Sequence, residues 1–141
     1  MRKIGVFILF TLLLVLSACG SGTIEGKLNR EGGFIREGTH ILEVLDFDIN
    51  DGEGTVDIKN YDVFSIFDEV EITESVQQYK VSVEEDEISI HTIFGDMDAE
   101  LIDDELHVYY KISDYADIYR YANQKEIDKI LKELEDKHAG E

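Results

Sequence analysis

The chain has 141 residues, with 32 Asp or Glu against 13 Lys or Arg, for a formal net charge of −19 at pH 7. That balance excludes recognition of a nucleic-acid phosphate backbone, where affinity comes from basic side chains that release counterions. The single Cys excludes an internal disulfide, and with no Pro and no Trp the fold must rest on an ordinary aliphatic and aromatic core.

Met1-Arg2-Lys3 is a short positive segment, and Ile4 to Leu16 is an uncharged apolar run followed by small residues. That order is the layout of a secretory signal rather than of a fold element. The run falls short of the roughly 20 apolar residues that a spanning helix needs. It closes on Leu16-Ser17-Ala18-Cys19. This stretch resembles the lipobox of bacterial lipoproteins: a Leu, two small residues and an obligatory Cys directly after the apolar run. The resemblance covers residues 1–22. It implies diacylglycerol transfer to the Cys19 sulfur and cleavage between Ala18 and Cys19, which removes residues 1–18. Burial of acyl chains contributes about 0.8 kcal/mol per CH2, so one chain binds marginally and two hold stably. The implied address is extracytoplasmic, on the outer face of the plasma membrane or, in a Gram-negative cell, on the outer membrane. The removed segment holds Arg2, Lys3 and no acid, so the mature chain carries 11 basic against 32 acidic residues.

Gly20 to Gly33 is rich in Gly with scattered polar residues, and 19–33 reads as a flexible tether in which Thr23 to Leu28 adds at most a short strand. One β-rich domain is expected over 34–138. His40 to Ile49 alternates as a strand, with Ile41, Leu45, Phe47 and Ile49 on one face and Asp46 and Asp48 on the other. Asn50 to Gly54 is a turn, and Thr55 to Asn60 returns with Val56 and Ile58 inward. Tyr61 to Ile72 is apolar but irregular, either a bulged strand or a buried helical turn. Tyr79-Val81-Val83 and Ile88-Ile90-Thr92-Phe94 are period-2 strands joined by Glu84 to Glu87. Met97-Ala99-Leu101 and Leu106-Val108-Tyr110-Ile112 follow. Residues 115–122 fit a last strand or the start of a helix. Ile127, Ile130, Leu131 and Leu134 have helical spacing over 124–138, with Asn123 as N-cap and Glu126 in the capping-box position. The helix is expected to pack across the sheet or to plug one barrel end.

The succession of short strands predicts a mainly β, α+β fold: an antiparallel meander closed as a small barrel or folded as a sandwich, with one C-terminal amphipathic helix. The Gly-rich start, the short strands and the turn Ile102-Asp103-Asp104-Glu105-Leu106 before a Tyr-rich strand resemble the small lipocalin-like modules of bacterial lipoproteins. No diagnostic lipocalin signature is present and the C-terminal helix is an addition, so the resemblance speaks to fold alone.

Between Glu37 and Tyr110 there are 22 acidic residues against only Lys59 and Lys80. Cationic partners or divalent cations are favoured by that field, although a charge run also simply solvates a face. Asp46, Asp48 and Asn50 stand like the first ligands of a Ca loop, but Asp51 replaces the required Gly at position six. Asp96, Asp98 and Glu100 share one strand face. His91 and His107 would form a metal pair only if their strands were neighbours, and His40 and His138 are remote in sequence. An apolar cavity near Phe47, Ile90, Phe94 and Tyr110 would suit an amphipathic ligand. No catalytic motif or cofactor loop is present, neither G-x-S-x-G, H-E-x-x-H nor a phosphate-binding Gly loop. The sequence therefore reads as a non-enzymatic, lipid-anchored binding or interaction module at the cell envelope, partnered by an envelope protein or a cationic species. A small carrier of an amphipathic ligand is the alternative, and Ca binding on the acidic sheet face is the second.

Overall fold

A computed structural model describes residues 22–66 and 69–139. Within them, α1 (Ile24–Leu28) precedes β1 (Gly33–Glu37), β2 (Ile41–Asn50), β3 (Glu53–Ile66), β4 (Glu69–Glu84), β5 (Glu87–Thr92), β6 (Gly95–Ile102), β7 (Glu105–Tyr109) and β8 (Ala116–Ala122). The chain ends in α2 (Gln124–Ala139). Every strand pairs antiparallel with its sequence neighbour, and β8 returns to β1, so the meander closes into a barrel with a C-terminal helix. Of residues 115–122, open between strand and helix in the sequence, all but Tyr115 form β8, because Ile35↔Arg120 and Leu106↔Tyr119 lock it between β1 and β7.

Alternation places one set of side chains in the lumen. Phe34, Leu45, Phe47, Val56, Val81, Ile88, Ile90, Leu106 and Val108 form its buried core. Burying an apolar side chain of this size contributes about 1.5–3 kcal/mol. The opposite faces of β1 and β2 are buried as well. Ile35, Leu42 and Val44 point outward and are covered by Ile127 and Ile130 of α2, with Leu131, Leu134 and Tyr61 packed at the margin. This is why β2 reads as an unbroken apolar run from Val44 to Leu45 where other strands alternate. Of the two placements expected for the helix, it takes the one across the sheet. Its N-cap is the expected one: Asn123 Oδ1 accepts the Glu126 N–H at 2.9 Å.

Two expectations are corrected. The tether expected over 19–33 is folded from Thr23 onward. Thr23 Oγ1 caps α1 by accepting the Gly26 N–H at 3.0 Å, and Ile24 and Leu28, four residues apart, turn one face to the lumen. Glycine content hid that single apolar pair. Gly32, at φ +106°, is needed for closure rather than flexibility, since a Cβ there would collide with the Ala122 carbonyl. The stretch expected to be irregular over 61–72 is divided between the end of β3 and the start of β4, each a regular strand. β3 and β4 keep one uninterrupted register from Glu53↔Ser82 to Ile66↔Glu69. Its apolar residues look irregular because the ribbon outruns the barrel: β2 stops pairing with β3 at Asp62, and β5 pairs with β4 only over Lys80–Glu84.

Candidate functional site: the open mouth of the barrel

The two ends of the barrel are built differently. At one end the turns β2–β3, β4–β5 and β6–β7 surround α1, and Leu28 is buried beneath it. Asn29 ties this plug to the wall like an extra strand residue. Its Nδ2 donates to Ile49 O at 2.6 Å and its Oδ1 accepts the Ile49 N–H at 2.9 Å. The Arg30 guanidinium sits 3.9 Å above the Tyr121 ring, and the Gly52 N–H donates to Glu25 Oε2 at 3.2 Å.

At the other end the lumen is open. A cavity of about 300 Å³ is lined by Ile58, Tyr79 and Met97 as its apolar part and by Glu43, Asn60, Gln77 and Tyr110 as its polar part. That volume stands at the lower bound for small-molecule sites, which run from about 300 to 1,000 Å³. Below it the lumen is filled by buried Phe47, Val56 and Ile90. Phe94 and Ile112 stand at its rim and are 92% and 101% exposed, with Ile93 and Tyr115 beside them in sequence also exposed. The β5–β6 turn is built to present its tip: Thr92 Oγ1 donates to Gly95 O at 2.6 Å and accepts the Phe94 N–H at 3.2 Å.

One wall of the mouth carries a charged network. Arg36 lies between two carboxylates, with Nη2 3.3 Å from Glu43 Oε1 and Nη1 2.7 Å from Asp117 Oδ1. The Tyr119 hydroxyl donates to Glu43 Oε1 in a very short hydrogen bond, and the Arg36 guanidinium lies 5.4 Å from the Tyr119 ring centre. The Tyr110 phenol faces Asp117 and Tyr119 on the same wall. Burial, and then the charge of Glu43, push the Tyr119 phenol far above its ordinary value. Burial and Asp117 raise Tyr110. Burial alone would lower the Arg36 guanidinium, but the facing Tyr119, Glu43 and Asp117 hold it above its usual range. Both phenols therefore stay neutral donors, and one cation faces two anions, leaving the wall net negative.

Of the four residues expected around a ligand, Tyr110 lines the cavity and Phe94 stands on its rim, whereas Phe47 and Ile90 are packed in the core beneath it. The network members Arg36, Glu43 and Asp117 escaped the sequence reading, yet a signal for them exists. Each falls two residues from an inward aromatic or aliphatic (Phe34, Leu45, Tyr119), so each is a charge at lumen parity, and all three lie at the same barrel end.

Asp46, Asp48 and Asn50 lie along the outer face of β2, at steps of roughly 6.8 Å. They run alongside one another and do not converge, and Asp46 is occupied by Lys59 Nζ at 2.8 Å. His91 and His107 stand on β5 and β7, with β6 between them. His91 Nδ1 instead meets Asp96 Oδ1 at 2.9 Å, and that hydrogen bond holds the Asp96 carboxyl below its usual range. No group of three or more His, Cys, Asp or Glu placed to hold a metal ion occurs among the described residues. His40 and His138, remote in sequence, are brought to 2.6 Å between Nδ1 and Nε2. His138 Nδ1 donates to Leu134 O at 2.8 Å, so with both rings neutral His40 is the donor to His138. The pair clasps the end of α2 to the β1–β2 loop. Ala18 and Cys19 lie outside the described residues. Compared with protein-family models, with curated proteins and with solved structures, the chain matches none.

Proposed function

We propose that this chain is a lipid-anchored, non-enzymatic binding module of the cell envelope that takes a small amphipathic ligand at the open mouth of its barrel. The observation that carries the reading is the cavity of about 300 Å³, apolar on Ile58, Tyr79 and Met97 and negative on the Glu43 wall. A ligand with an apolar body and a cationic or donor-rich head satisfies both parts. The overall charge of −19 draws cations toward the mouth. The Leu16 to Cys19 resemblance supplies the anchor. Cys19 stands only four positions before Thr23, the cap of α1, at the plugged end. A lipid there holds the plugged end to the bilayer and turns the mouth outward.

Two experiments test the parts separately. The chain from Gly20 onward should enhance the fluorescence of the neutral apolar dye N-phenyl-1-naphthylamine. Met97→Trp, which fills the cavity, should abolish the enhancement, and an unchanged signal would contradict a mouth site. Cys19→Ala should abolish lipid labelling and membrane retention; retention with labelling intact would remove the anchor.

A further inference from the structure

The β4 strand has a second face of chemistry that the cavity does not use. From Glu69 to Tyr79 it is paired with β3 alone, because β5 joins only at Lys80. The Val83 N–H reaches Gly52 O on the β3 side at 2.7 Å, and the register runs unbroken from there. Odd-numbered β4 residues therefore bond to β3, and even-numbered ones, Glu74, Val76 and Gln78 among them, aim their N–H and C=O at the open edge. Thr73 to Gln78 are all exposed: α2 approaches β4 but leaves these residues unburied. Edge strands left open are commonly blunted by Lys, Pro or a bulge. None of these occurs between Glu69 and Tyr79.

We propose that this edge accepts an extended basic peptide segment of a partner protein as an added strand. Addition would bond the partner backbone to Glu74, Val76 and Gln78. Charge selects the occupant. Glu69, Glu71 and Glu74 lie along the edge, and there is no Lys or Arg on β4 before Lys80. Cationic side chains set opposite the acids are favoured, while a second copy of the chain would bring its own excess of acid to the contact.

The test uses the full chain in neutral detergent and, as probe, a blocked peptide of about ten alternating Lys and Val residues, a usual strand length. Fluorescence anisotropy of the labelled peptide should report binding that weakens as salt rises to about 0.5 M, where charges are screened well inside 10 Å. A Glu-for-Lys peptide should not bind. In hydrogen exchange the bound peptide should protect the amides of Val76 and Gln78. Gln78→Pro removes an edge donor without removing a β3 bond, and should weaken the peptide about tenfold or more. It should leave dye binding in the mouth unchanged, which separates failure of this edge from failure of the cavity reading. Equal peptide affinity in Gln78→Pro, or no protection at Val76 and Gln78 in the unmodified chain, would mean diffuse adhesion to acidic surface and would overturn the proposal. So would a concentration-dependent dimer protecting the same amides without peptide. If Gln78→Pro fails to fold, the exchange result on the unmodified chain decides.

Discussion

The plugged end and the open mouth of the barrel use one alternation pattern for opposite purposes. At the plugged end, lumen positions are apolar to the last residue, and α1, Asn29 and Arg30 satisfy the remaining backbone and ring faces. At the mouth, lumen positions turn into Arg36, Glu43, Asn60, Gln77 and Asp117, and apolar side chains move outside to Phe94 and Ile112. One end is finished by packing, and the other keeps an open cavity. Stability should therefore be concentrated at the first and binding at the second.

Substitutions at the two ends should separate these roles. Leu28→Ala, at a site only 1% exposed, should cost about 3 kcal/mol or more through cavity formation, read as a lower denaturant midpoint with an unchanged slope. A cost under about 1 kcal/mol would show that α1 is not part of the core. Asn29→Ala leaves the Ile49 N–H and carbonyl unpaired and should cost about 1–3 kcal/mol. Arg36→Met, at the mouth, should cost less, about 0.5–1 kcal/mol, because Arg36 and its partners Glu43 and Asp117 retain partial access to water. It should also raise affinity for cationic ligands, since Glu43 and Asp117 are then uncompensated. Phe94→Ser should change stability by less than about 0.5 kcal/mol and still reduce dye binding.

The alkaline limb of stability probes the same wall. Tyr119 and Tyr110 on that wall, and Tyr61 on the outer face beside α2, all have folded-state values raised above the ordinary 10.0, chiefly by burial. The neutral phenol is then favoured by folding. Its contribution is complete below pH 10 and is lost as pH rises further, when the unfolded chain releases protons that the folded one keeps. Unfolding titrations should show stability falling above about pH 10. Tyr119→Phe should flatten that fall, and an identical slope in the variant would contradict the burial of this phenol.

Much of the barrel was legible because period-2 alternation needs only local sequence. The strands around Phe47, Ile88 and Leu106 follow from it directly. What was not legible depended on pairing partners. The β3–β4 ribbon looked irregular because beyond Val63, which is still buried and held by His40 O, it has no barrel wall to bury against: Phe64 and Val76 are exposed, and apolar residues stop marking an inside. α1 was hidden by glycines, although the fold needs only Ile24 and Leu28 from it. The mouth was half legible. Tyr110 and Phe94 were placed by aromatic content, while Arg36, Glu43 and Asp117 are drawn together from β1, β2 and β8, whose closure no local pattern encodes. The His40 and His138 clasp spans the whole domain and depends on where α2 ends.

The central claim is that the mouth, and not the plugged end, is where this protein binds. The most direct measurement is an amide chemical-shift map of the chain titrated with N-phenyl-1-naphthylamine. Shifts should gather at Glu43, Asn60, Gln77 and Met97 and leave Leu28, Asn29 and Ile49 unmoved. Shifts centred on the α1 plug, or spread evenly over the barrel, would contradict the account.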